Sequence, residues 1–104
     1  MAAAPPFVSY SSMSEAVMSA ADWPFLYASL QAYKAHVQEY PGCQRMEAFV
    51  ALQDDGSMRV HCYTTWDTPE QLDAFLEWGY TFERLLGDVG LRHSERTLVM
   101  EKLF

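Results

Sequence analysis

Apolar and polar residues alternate in two stretches of this chain, and each stretch gives way to a helical period. Residues 58–66, MRVHCYTTW, read as a strand ending on Trp66, with Asp67 as a one-residue hinge. Thr68-Pro69-Glu70-Gln71 then opens a helix: Thr caps, Pro takes the first position, and Gln follows three residues after the cap. Leu72, Phe75, Gly79, Phe82 and Leu86 fall on one face of that helix, with Asp73, Glu77, Thr81 and Arg84 opposite and Gly87 as the expected stop. The same succession occurs earlier. Residues 7–17 alternate roughly enough for a strand, although SEAVMS (14–19) equally suits the start of a turn or helix. Asp22 is the expected cap of the next helix, with Pro24 tolerated in its first turn. Trp23, Leu26, Leu30, Tyr33, Val37 and Tyr40 recur there at spacings of 3, 4, 3, 4 and 3, one arc of a helix that Pro41-Gly42 ends.

Between the two units lies a hairpin around Asp54-Asp55-Gly56. A two-residue turn would pair odd positions with even ones, whereas a three-residue loop with Gly56 at a left-handed position keeps parity. One face then carries Met46, Ala48, Val50, Leu52, Met58, Val60, Cys62, Thr64 and Trp66. The other carries Arg45, Glu47, Phe49, Ala51, Arg59, His61, Tyr63 and Thr65. This register sets Cys62 opposite Ala48, too far from Cys43 for a disulfide. After the turn Asp88-Val89-Gly90, residues 92–104 alternate like a final strand. The order β-α-β-β-α-β predicts an α+β, ferredoxin-like antiparallel sheet with both helices on one face. Residues 1–6 are expected to be a flexible tail and residues 7–104 a single domain.

Composition narrows the partners. Half the residues are hydrophobic, enough for a packed core, and the fifteen Tyr, Phe and Trp exceed what one small core needs. Some should line a cavity or a subunit interface. A net charge of −7 with seven Lys and Arg argues against nucleic acid and against an anionic membrane surface. No apolar run approaches the ~20 residues of a membrane helix, and MAAAPPF lacks a basic leader, so a cytoplasmic location is expected. Cys43 and Cys62 form no CxxC motif, and the histidines have no HxH or HExxH spacing, so no metal site is expected.

Pro41-Gly42-Cys43, the strand running into Trp66, and the capped start from Thr68 to Leu72 together resemble the antibiotic-biosynthesis-monooxygenase superfamily of dimeric α+β barrels. The resemblance covers about residues 7–103, with Trp66 and the capping segment its most specific part. It implies a homodimer through sheet-to-sheet packing, with a small-molecule cavity between each sheet and its helices. Relatives include monooxygenases that oxidise quinols or polyphenols with O₂ and no flavin or metal, and haem-degrading enzymes. The haem-degrading branch has a Trp nine residues after the strand Trp and a His ten further on. Here those positions are Phe75 and Leu85, so haem degradation is not expected. The His that many members carry near Phe75 is absent too.

The leading expectation is a cofactor-independent monooxygenase acting on a small aromatic phenol or quinol. Such chemistry needs a base, an oriented substrate and a dry pocket, and no cofactor. His61 is the expected base and Tyr63 its hydrogen-bonding helper, with an interface role for His61 as the structural alternative. Tyr33, Trp66, Phe75 and Trp78 are expected to form an aromatic wall, or else ordinary core. Gly79, at the centre of the second helix's apolar face, marks close helix–sheet contact or space for a ligand. His93 would begin the last strand near a pocket mouth, and His36 lies at the edge of the first helix's apolar arc. Enzyme chemistry calls for a mostly apolar space of at least ~300 Å³ with an ionisable group pointing in. A non-catalytic dimeric binding or stress-responsive module on the same fold is the alternative, with a cyclase or isomerase a weaker third.

Overall fold

In the computed structural model, which describes residues 8–91 and 94–104, seven elements alternate as the pattern predicts, with one addition. Strand β1 (Tyr10–Ser19) leads to helix α1 (Trp23–Gln38), then to the hairpin β2 (Cys43–Leu52) and β3 (Ser57–Trp66). Helices α2 (Pro69–Trp78) and α3 (Phe82–Asp88) precede strand β4 (Ser94–Glu101). The sheet has the order β2-β3-β1-β4, every neighbour antiparallel, which is the ferredoxin-like arrangement. The expected tail at residues 1–6 and His93 lie outside the described residues.

The hairpin keeps the expected parity. Gln53 N–H donates to Ser57 O at 2.8 Å, Gly56 N–H donates to Gln53 O at 3.0 Å, and Ala48 faces Cys62. Gly56 adopts φ +86°, a left-handed conformation that costs glycine nothing sterically. Both cysteines are free thiols. Segment 14–19, ambiguous in sequence, is strand, because Ser14 to Ser19 pair along the length of β3.

Two local expectations are corrected. Asp22 sits at the start of α1 but its side chain caps nothing; its N–H bonds to Ser19 instead. The second helix is not continuous. At Gly79 the backbone turns extended (φ −82°, ψ 176°), and the Thr81 hydroxyl accepts from Arg84 N–H at 3.4 Å to start α3. A Cβ at position 79 would lie 2.6 Å from both the carbonyl oxygen and a ring carbon of Phe75. Gly79 therefore ends α2 by close approach to Phe75 rather than occupying a helix interior. Ala48, Val50 and Leu52 share the helix-side parity yet are exposed, while their β3 partners Cys62 and Val60 are buried, because β2 is the edge strand of the sheet.

Beneath the helices the core gathers Leu26, Tyr33 and Val37 of α1 against Ala16, Val60, Cys62 and Trp66 of the sheet. Leu72, Phe75, Phe82, Leu85 and Leu86 close it from α2 and α3. Among the described residues no helix lies over the other sheet face. It presents Phe49, Leu98 and Met100, all exposed, around a cluster of charges.

Candidate functional site

Small hydroxyl side chains occupy several sheet positions under the helices where branched apolar ones would ordinarily fill the space. Ser12 and Ser14 of β1, Cys62 and Thr64 of β3, and Thr97 of β4 floor a pocket of about 220 Å³. Tyr33, Phe75 and Phe82 wall it, and Glu83 and Glu95 also line it. Close-packed interiors leave few voids, so a run of short side chains opposite large rings leaves a hollow.

The hydroxyls are paired across strands. Ser12 Oγ and Thr64 Oγ1 lie 2.5 Å apart, Ser14 Oγ and Thr97 Oγ1 3.2 Å apart, and the Trp66 indole N–H donates to Thr64 Oγ1 at 3.0 Å. Each hydroxyl carries one proton, and one bond consumes one proton. Each Ser–Thr pair therefore retains a second hydroxyl proton, which a ligand oxygen in the pocket can accept. Tyr33 adds a third donor. Its hydroxyl is buried and has no partner among the described residues. Burial raises the Tyr33 hydroxyl far above its usual range, with nearby Cys62 and Tyr40 adding to the effect, so it stays protonated.

Burial likewise pushes the Cys62 thiol up from 9.0 to about 12. The thiol form persists at neutral pH, and nucleophilic chemistry by Cys62 is disfavoured. Both groups ionise more readily unfolded than folded, so their contribution to stability is complete below the unfolded values and lost as pH rises through the folded ones. For Cys62 that window runs from 9.0 toward about 12. Thermal melts should show Tm falling above about pH 9, with a shallower fall in Cys62→Ala.

Of the side chains singled out in the sequence, Tyr33 and Phe75 line this pocket. Trp66 is buried beside it, tilted against Phe75 with ring centroids 4.9 Å apart. Trp66 and Phe75 also line a separate hollow with Trp78 and Gly79, where Trp78 is largely exposed. His61 and Tyr63 project from the uncovered face. There His61 Nε2 lies 3.1 Å from Glu15, which also pairs with Arg59 at 2.6 Å and Arg96 at 3.2 Å. Desolvation pulls Glu15 upward, but Arg59, the His61 hydrogen bond and Arg96 together hold its carboxyl below the ordinary value. Tyr63 packs edge-on against Phe49 at 5.8 Å. His61 and Tyr63 thus stand on the side of the interface alternative, away from the pocket between sheet and helices. Strand alternation that turns Cys62 into the pocket turns its neighbour out.

Sequence reasoning missed the hydroxyl floor. Its signal was present: Ser12, Ser14 and Thr64 are small polar residues at core parity. His36 is exposed and bonds the Tyr40 hydroxyl at 3.3 Å. Among the described residues no group of three His, Cys, Asp or Glu could hold a metal ion, and no helix is long and apolar enough to cross a membrane.

Solved structures share this fold. A Nitrosomonas europaea protein described as a candidate antibiotic biosynthesis monooxygenase superposes with a TM-score of 0.71 at 14% identity, over 94% of this chain and 93% of that one. A dimeric ferredoxin-like protein from an uncultured marine organism gives 0.70 at 13% identity, over 92% and 96%. SnoaB of Streptomyces nogalater, a cofactor-independent oxygenase, gives 0.65 at 12% identity, over 89% and 91%. No protein-family model matches the chain, and no curated protein does.

Proposed function

We propose that this chain is a cofactor-independent monooxygenase that oxidises a small phenol or quinol with O₂ in the hydroxyl-lined pocket. The unpartnered Tyr33 hydroxyl carries the reading: a buried donor without a partner costs about 1–3 kcal/mol unless something binds it. A phenolate oxygen satisfies it, together with the spare protons of the two Ser–Thr pairs. The shared fold with SnoaB, described as a cofactor-independent oxygenase, supports the reaction class.

The chemistry balances without a cofactor. A phenol and O₂ give a quinone and one water; a ring C–H and the O–H bond break, one oxygen atom forms the new C=O, and the other leaves as water. Ionising the phenol supplies the electron density, so the protein's part is to take a proton, orient the ring and exclude bulk water. Glu95, on the strand side of the pocket, takes the proton; donors on Tyr33 and the Ser–Thr pairs stabilise the anion left behind. The exposed Phe49, Leu98 and Met100 on the other sheet face support a homodimer packed sheet to sheet, as does the neighbour described as dimeric.

A non-catalytic small-molecule-binding module is favoured by one observation. At about 220 Å³ the pocket is smaller than the ~300 Å³ typical of ligand sites. Oxygen-electrode measurements with a panel of hydroquinones separate the two. Uptake stoichiometric with quinone is expected from wild type, falling at least tenfold in Glu95→Gln and unchanged in His61→Ala. Binding of the same compounds without any uptake would establish the module instead.

A further inference from the structure

We propose that the hydroxyl-lined pocket selects a phenol carrying a protonated amine, held by Glu83 at the mouth, an inference that rests on that pocket being the substrate site. The lining changes character from its inner end to its outer one. Tyr33, Cys62, Thr64, Phe75 and Phe82 are buried, Leu76 and Thr81 are half-buried, and Glu83 and Thr97 are exposed. Rings and hydroxyl protons at the inner end suit a phenol. The outer end differs: Glu83 and Glu95 are the charged side chains of the lining, and both are acidic.

Strand alternation sets this asymmetry. Glu95 shares the parity of Thr97, whose hydroxyl pairs with Ser14 on the pocket floor. Arg96, between them, turns to the opposite face and pairs with Glu15 at 3.2 Å. Glu83 stands on α3. Among the described residues no ion pair engages its carboxylate. An anionic ligand tail would meet like charge at this mouth, and a neutral tail would leave the carboxylate unanswered. An ammonium group instead brings three N–H donors to two carboxylates and the Thr97 hydroxyl oxygen. The net charge of −7 draws cations toward the protein in the same sense. The other end of the ligand is marked by Tyr33, 3% exposed, with a hydroxyl that has no partner among the described residues.

The test is calorimetric titration at neutral pH, without oxygen, of three phenols of similar size. Tyramine carries a cationic tail, para-propylphenol a neutral one and para-hydroxyphenylpropionate an anionic one. Affinity is expected to fall in that order, with about tenfold between the extremes and less at high salt. Glu83→Gln should narrow that span by about threefold and Glu83→Lys should abolish it, while Tyr33→Phe should weaken all three phenols by a similar factor. Glu83 is exposed, so both of its replacements leave the core intact. Equal affinities, tightest binding of the anion, a span unchanged in Glu83→Gln, no binding of any probe, or indifference of all three to Tyr33→Phe would each overturn the proposal. Oxygen uptake is read separately. A charge ranking without uptake keeps the amine site and removes the oxygenase reading, whereas uptake from neutral quinols without a ranking removes the amine site alone.

Discussion

Tyr33→Phe is expected to lower kcat/KM for quinol oxidation by about tenfold to a hundredfold, because a donor to a developing oxyanion contributes roughly 1.5–3 kcal/mol. The substitution should not weaken the fold. Among the described residues the hydroxyl has no partner to orphan, and its removal relieves a buried, unsatisfied group. Stability by urea unfolding should stay level or rise slightly while activity falls. That opposition is the useful signature, since a residue serving the core alone moves stability and leaves kinetics untouched. Unchanged kinetics with raised stability would make Tyr33 packing only and remove the main support for phenolate binding.

Trp66→Ala should be the most damaging single change, costing about 3–5 kcal/mol. The indole is 1% exposed, packed against Phe75, with its N–H on the Thr64 hydroxyl. Truncation opens a void where three elements meet and removes one bond from the Thr64–Ser12 pair. Small domains are stable by about 5–15 kcal/mol, so the variant stands near the edge of folding at room temperature. A large drop in urea midpoint is expected, with Trp66→Phe intermediate. Trp78→Ala, at the rim of the outer hollow, should change the midpoint little. Equal midpoint losses for both would contradict this assignment of core and rim.

Several features were legible in the residues because they are local. Leu26, Tyr33 and Val37 are buried where the 3.6-residue period puts them, and the Thr68 hydroxyl accepts from Gln71 N–H at 3.2 Å as the cap pattern requires. The break at Gly79 was not legible. Leu72, Phe75, Phe82 and Leu86 keep a helical spacing across it, and all four are core residues. Only contact with Phe75 distinguishes a glycine that ends a helix from one inside it. The floor of the pocket escaped for a related reason: serines in a strand look like solvent-facing positions until the partner strand and the helices above are known.

By itself the sequence determined the order of elements, the three-residue hairpin loop and the parity that separates His61 from Cys62, because period and turn chemistry act over a few residues. Tertiary structure brought the partners to each face, packing Cys62 under the helices and setting His61 against Glu15. It also decided where side chains fall short of filling space. A cavity is a difference between volumes contributed by strands and helices far apart in the chain, and no local pattern encodes that difference.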